Sequence, residues 1–267
     1  MPASQMHLTP LDNLLWAFGA ALKLLLCFLV FYRHLYTRLL FFCIYVVLLV
    51  AELAVVWSVY RVWGYSSSVA WYTAWCGVGV LLLARGLAVA ELCWTSVRNY
   101  PAIWSLVRKM LVLVAVIVLL YAGSAAYENR TPLVAFFVTA ERGSEISILA
   151  ILVALLGFGL RYNVALGPIE RSIVLGLGFY SAFQVVNDSF MDPWTTRHFH
   201  WWSSVRVVSF DIALMMWLVP LRKGLPPPNK APALLSEDAA ENLLRQVLER
   251  MREVTAELKR IGKSIRK

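Results

Sequence analysis

Residues 39–60 read LLFFCIYVVLLVAELAVVWSVY, and this stretch decides the class of fold. Glu52 is its one charged residue. A helix needs about 20 predominantly apolar residues to cross the hydrocarbon core of a bilayer, and this stretch is long enough. A helix that is apolar on every side must also be surrounded on every side, by lipid or by protein. The stretch therefore predicts a transmembrane helix.

The rest of the chain repeats this pattern. Of its 267 residues, 60% are hydrophobic and 15% are charged, whereas a soluble domain has roughly 45–50% apolar and about 25% charged residues. Apolar windows recur at residues 14–32, 39–60, 69–94, 110–126, 146–160, 173–186 and 205–221. The fifth window is short, and we expect its helix to begin earlier because residues 132–140 are also apolar. These windows predict an all-α polytopic membrane protein, a seven-transmembrane helix bundle.

Lysine and arginine concentrate in alternate connections. The connections after the first, third and fifth windows and the C-terminal tail are the basic ones, and short cytoplasmic loops retain such residues. The sequence therefore predicts a multi-pass protein of the cell inner (plasma) membrane, with its N-terminus outside and its C-terminus cytoplasmic. The formal net charge of +9 then reflects this topology and contact with anionic inner-leaflet lipid, and we expect no nucleic acid partner.

Three domains follow from the change in composition. Residues 1–223 form the transmembrane domain, residues 224–235 a proline-rich linker, and residues 236–267 a polar cytoplasmic helix. Apolar residues recur in this last helix at alternating steps of three and four, at Leu244, Val247, Met251, Val254, Leu258, Ile261 and Ile265. This heptad spacing predicts a coiled coil, through which the chain would bind a second copy or a cytoplasmic protein. The alternative is a basic amphipathic helix lying on the inner leaflet.

Four ionisable side chains fall near the middle of the predicted membrane helices. They are Lys23, Glu52, Arg85 and Asp211. A charge at bilayer depth costs at least a few kcal/mol, so each needs a partner or a function. Two acids and two bases at similar depth predict a cluster that either holds helices together or binds a ligand. Toward the outer end of the sixth window, Gln184, Asn187 and Asp188 could line an outward-facing cavity or simply end the helix.

Glu91 is a further charged residue of the third window. Arg98 lies seven residues later, on nearly the same helix face, so the spacing predicts a structural ion pair between the two. The four cysteines, Cys27, Cys43, Cys76 and Cys93, lie in apolar runs without CxxC spacing, which indicates neither a disulfide framework nor a zinc site. We expect no metal and no cofactor.

Three segments of the chain resemble a bacterial family of seven-helix integral membrane proteins of unknown function. They are residues 140–162 with the triplet Ala-Glu-Arg at their start, residues 167–186 with Gly-Leu-Gly-Phe at 176–179, and the third window from Trp71-Tyr72 to Tyr100-Pro101. The resemblance covers roughly the first 220 residues and implies the seven-helix topology. The family pattern usually ends soon after the seventh helix, and the added linker and tail helix point to a cytoplasmic partner or to self-association.

Three functions remain open from the sequence. The first is a membrane sensor, adaptor or scaffold that couples the bundle to its cytoplasmic helix, since no catalytic motif is present. The second is a membrane-embedded enzyme acting on a lipid or isoprenoid, with Glu52 and Asp211 as candidate catalytic acid and base. The third is a proton-coupled carrier, which the absence of an evident inverted repeat disfavours.

Overall fold

The computed structural model describes residues 10–64, 67–98, 100–129, 131–162 and 166–223, together with Arg245 and Glu249. Every regular element in these ranges is helical. The elements are α1 (Pro10–Tyr32), a short 3₁₀ helix (Leu35–Thr37), α2 (Leu40–Trp63), α3 (Ser68–Val97), α4 (Pro101–Glu128), α5 (Pro132–Tyr162) and α6 (Pro168–Lys223). Helices α1 to α5 are each long and apolar enough to cross a bilayer. The chain is therefore an all-α protein built to lie in a membrane.

The helix boundaries have local causes in the sequence. Proline stands at the first position of α4, α5 and α6, where its missing N–H has no helical partner to lose. Ser67 caps α3 by accepting a hydrogen bond from the Ala70 N–H at 3.1 Å. Gly64 ends α2 with a φ of 76°, a conformation that residues with a Cβ rarely adopt.

The first five predicted windows all lie on observed helices. As expected, α5 begins at Pro132, well before its apolar window. The linker and the tail helix, with the heptad residues 244–265, lie outside the described residues except for Arg245 and Glu249, which are both helical and exposed.

Helix α6 is 56 residues long. It is not straight, because its two ends pack against each other. The Ser172 hydroxyl donates a hydrogen bond to the Met216 carbonyl, and the rings of Tyr180 and Phe210 lie 5.0 Å apart. A straight helix of this length would be about 84 Å long and would keep these residues far apart. We call residues 168–187 and 205–223 the first and second halves of α6. The contacts show that the second half runs back along the first.

The buried core lies where α1, α2, α3, α5 and α6 meet. Trp217 is its largest fully buried side chain and makes edge contacts with Phe42 at 5.4 Å, with Tyr45 at 6.3 Å and with Phe210 at 6.3 Å. Helix α4 packs mainly on α5 and lies at the periphery, and no residue of its most apolar window is fully buried. In a bilayer, that surface faces lipid.

The expected ion pair between Glu91 and Arg98 does not form in the described structure. Glu91 Oε2 instead accepts a hydrogen bond from the Phe42 N–H at 2.9 Å. The first turn of α2 needs such an acceptor, because Leu39 at its N-cap offers no side-chain cap. Arg98 lies about 10.5 Å farther along α3, just past its last turn, where it is exposed to solvent. The N-terminus of a neighbouring helix is thus the nearer partner for this carboxylate.

We expect Gly176→Ala to destabilise the fold by about 1–3 kcal/mol through overpacking. A Cβ at this position in the first half of α6 would overlap the indole of Trp217 in the second half. The free energy of unfolding in mild detergent measures the effect. Gly86→Ala is the matched control, because its Cβ would meet no atom within 4 Å. Equal stability of the two variants would contradict the packing of the α6 halves.

Candidate functional site

A cavity of about 340 Å³ lies between α1, α2, α3 and the two halves of α6. This volume is in the range of small-molecule sites in proteins. The four mid-membrane charges predicted from the sequence, Lys23, Glu52, Arg85 and Asp211, all line it. Trp16 and Arg206, at the mouth of the cavity, are about half exposed, whereas Tyr45 and Arg85 in its wall are buried. We call it the central cavity.

Arg85 forms an ion pair with Glu145 beside the cavity. Arg85 is 6% exposed and Glu145 is fully buried. The other carboxylate oxygen of Glu145 accepts a hydrogen bond from the Ser181 hydroxyl at 2.6 Å. The guanidinium also lies over the ring of Tyr180 at 5.0 Å and over that of Tyr45 at 6.0 Å. The pair joins α3, α5 and the first half of α6 through charged and aromatic contacts.

A second ion pair, between Glu141 and Arg206, lies at the mouth of the cavity. Arg206 belongs to the second half of α6 and Glu141 to α5. With its amide oxygen facing these donors, Gln184 accepts hydrogen bonds from Arg206 Nε at 2.9 Å and from the Tyr180 hydroxyl at 3.2 Å. Gln184 is therefore part of the wall behind the cavity. Asn187 is buried one turn away, and the side chain of Asp188 lies outside the described residues.

Lys23 lies between two carboxylates across the cavity. Glu52 and Asp211 both attract its ammonium group, and Arg206 also attracts Glu52. Neither carboxylate of this trio comes within 4.0 Å of the ammonium in the described structure. Lys23 also lies 5.5 Å from the centre of the Phe210 ring. The three groups therefore face a shared space and are not locked in direct pairs.

The Tyr45 hydroxyl and the Arg85 side chain interact with each other in the cavity wall. Asp211 Oδ2 is buried there and has no hydrogen-bond partner among the described residues. Such an atom costs roughly 1–3 kcal/mol when it is left unsatisfied in a dry interior. The other oxygen of Asp211 packs close to Gly19, where a Cβ would lie 2.8 Å from Oδ1. The wall therefore contains a carboxylate oxygen that no described residue satisfies.

A second, apolar depression of about 400 Å³ lies on the outside of the bundle between α2 and α3. We call it the α2–α3 groove. Its lining is formed by Leu48, Ala51, Glu52, Val55, Val56, Tyr72, Thr73, Cys76, Gly77, Val80 and Leu81. Glu52 and Leu81 line both the groove and the central cavity. Gly77 leaves room for Glu52, since a Cβ there would lie 3.3 Å from its Cγ.

Sequence reasoning missed Glu145, Glu141 and Arg206 as members of this site. The first two lie just before the fifth apolar window, which begins at residue 146, so they were not counted among the charges inside the windows. The extension of that helix to Pro132 was the available signal, since it places both glutamates inside a membrane helix. Arg206 is the second residue of its window and resembles a flanking interfacial arginine.

We expect Glu145→Leu to lower the free energy of unfolding by about 3–5 kcal/mol, because it leaves Arg85 buried without a counter-charge. The double variant Arg85→Leu with Glu145→Leu loses less, since neither charge remains. Ser181 can then donate to a carbonyl of its own helix. Denaturation in mild detergent compares the variants. A double variant that loses the sum of the two single effects would contradict a direct pair.

Comparison with known proteins gives no relative for this chain. No family model matches it, nor does any curated protein or solved structure. The resemblance to seven-helix bacterial membrane proteins therefore stays a prediction, and the function has to be argued from the site.

Proposed function

We propose that the chain is a seven-span membrane sensor or adaptor. Its bundle binds a small ligand in the central cavity, and its cytoplasmic helix passes the bound state to a partner or to a second copy. The observation that carries this proposal is the convergence of Lys23, Glu52, Arg85 and Asp211 on one cavity. The unpartnered Asp211 Oδ2 in its wall adds to it, because a charge that served only to join helices would be paired.

The two halves of α6 supply the sixth and seventh spans of the proposed topology. Each half is about 20 residues long, or about 30 Å as a helix, which matches the hydrocarbon thickness. The contacts between Ser172 and Met216 and between Tyr180 and Phe210 support an antiparallel pair. With the positive-inside rule, seven spans put the N-terminus outside and the C-terminus in the cytoplasm of a cell with this protein in its inner membrane.

The second half of α6 is the proposed link between ligand and tail. Asp211 lines the cavity, and the helix continues from it to Lys223, a distance of about 18 Å. A ligand that draws Asp211 toward Lys23 or Glu52 would move this half relative to the first half. The linker at residues 224–235 starts where α6 ends. Such a shift would therefore reach the tail helix directly.

The tail helix is the proposed output. Its heptad positions favour a coiled coil, and a basic helix on the inner leaflet is the alternative. We expect Met251→Asp with Leu258→Asp to dissociate an oligomer of the full chain, because charged side chains would lie in the apolar seam. Mass measurement in mild detergent reads out the change.

The matched control for the tail is Gln246→Asp with Thr255→Asp, which adds the same charge outside the seam. We expect this control to keep the wild-type mass. If the seam variant also keeps it, or if wild type is a monomer, self-association through the tail is excluded.

A membrane-embedded enzyme is the second candidate. The observation that favours it is that Glu52 and Asp211 line one cavity, and that Glu52 also lines a groove on the outside of the bundle. A lipid or isoprenoid could thus reach Glu52 from the side. The test is a comparison of lipid extracts from cells with wild type, with Glu52→Gln and Asp211→Asn, and with the gene deleted. An enzyme requires the carboxylate variants to match the deletion, and a match to wild type excludes it.

A further inference from the structure

The charge balance around the central cavity indicates the charge of its ligand. Among the described side chains that line or back it, three are cations and four are carboxylates. Two of the cations, Arg85 and Arg206, are paired with Glu145 and Glu141. One lysine then remains to balance Glu52 and Asp211. In a low-dielectric interior, this excess favours an additional positive charge.

The aromatic lining has the same preference. The faces of Tyr45, Tyr180 and Phe210 are already turned toward cationic groups, at 5.0 to 6.0 Å from the ring centres. An aromatic face attracts a cation through its quadrupole, and the attraction grows when water is excluded. Trp16 adds a further ring near the mouth. Arg85 and Lys23 already cover the other three rings, so Trp16 and the two carboxylates are the groups that would attract an added organic ammonium ion.

The α2–α3 groove indicates the rest of the ligand. It is almost entirely apolar and lies on the outside of the bundle, and the side chains of Glu52 and Leu81 separate it from the cavity. A molecule with its charged group beside Glu52 would extend a hydrocarbon chain into the groove by displacing the Leu81 side chain. Burial of that chain contributes binding free energy for each methylene.

We propose that the bundle binds a lipophilic organic ammonium ion. Its cationic group lies between Glu52 and Asp211, and its single hydrocarbon chain lies in the α2–α3 groove. This inference rests on the proposed function, because it assigns a chemical class to the ligand of the same cavity.

The test measures binding of radiolabelled dodecyltrimethylammonium to the full chain in phosphatidylcholine nanodiscs, with empty nanodiscs as background. We expect saturable binding that dodecylamine displaces, and displacement by dodecanol or dodecanoate about ten-fold weaker or worse. Equal displacement by dodecanoate overturns the ammonium assignment. Equal displacement by tetramethylammonium, which has no chain, overturns the role of the groove.

Variants locate the two parts of the ligand. We expect Asp211→Asn and Glu52→Gln to weaken binding about ten-fold, because each removes a counter-charge. Lys23→Met is expected to strengthen it, since the lysine repels an incoming cation; weaker binding would indicate an anionic ligand instead.

Ala51→Phe fills the groove and is expected to weaken binding. Ala54→Phe, at an exposed alanine of α2 outside the groove, is the matched control and leaves binding unchanged.

The outcomes separate this inference from the proposed function. If dodecanoate or dodecanol binds saturably and Asp211→Asn abolishes that binding, the cavity is a ligand site and only the ammonium class is wrong. If no probe binds saturably to wild type, the ammonium assignment fails, while the mass of the tail variants still tests the output of the sensor. Should Asp211→Asn fail to fold, the Ala51→Phe and Ala54→Phe pair still decides the inference.

Discussion

The buried ion pair between Arg85 and Glu145 is the constraint on which the rest of the bundle depends. An arginine at this depth carries a desolvation cost of several kcal/mol, and only a close carboxylate with further hydrogen bonds offsets it. Glu145 provides that carboxylate from α5, and Ser181 provides the hydrogen bond from α6. Three helices are thereby fixed around one point. Glu145 already balances the charge of Arg85. The carboxylates of Glu52 and Asp211 therefore face Lys23 and are not paired with Arg85.

This arrangement divides the polar groups of the bundle into two kinds. The pairs Arg85–Glu145 and Glu141–Arg206 join helices and carry the structure. Lys23, Glu52 and Asp211 surround open space. In the described structure, neither carboxylate lies within 4.0 Å of the Lys23 ammonium. A membrane interior tolerates the second kind where water or a ligand completes it, and such residues commonly mark functional sites. The proposed ligand-binding function follows from that distinction, and the position of Asp211 on the last part of α6 connects it to the tail.

The sequence predicted the helices well because their physical signal is local. Apolar windows, N-terminal prolines and the Ser67 cap all act within a few residues. The four central charges were found for the same reason, since a charge inside an apolar window is visible in one dimension. The partners of the charged residues were not found from the sequence. The pairing of Arg85 with Glu145 and of Glu91 with the Phe42 amide depends on which helices are neighbours. Helical spacing suggested Arg98 for Glu91, whereas the N-terminus of α2, which has no side-chain cap, was closer.

An experimental structure of the full chain in lipid nanodiscs would test most directly whether the central cavity is a ligand site. The informative region is the space bounded by Lys23, Glu52 and Asp211, together with the α2–α3 groove. We expect elongated density that starts beside the two carboxylates and continues past Leu81 into the groove. A closed core in which the Lys23 ammonium forms direct ion pairs with both carboxylates would contradict the account, and would make these charges a structural link between helices.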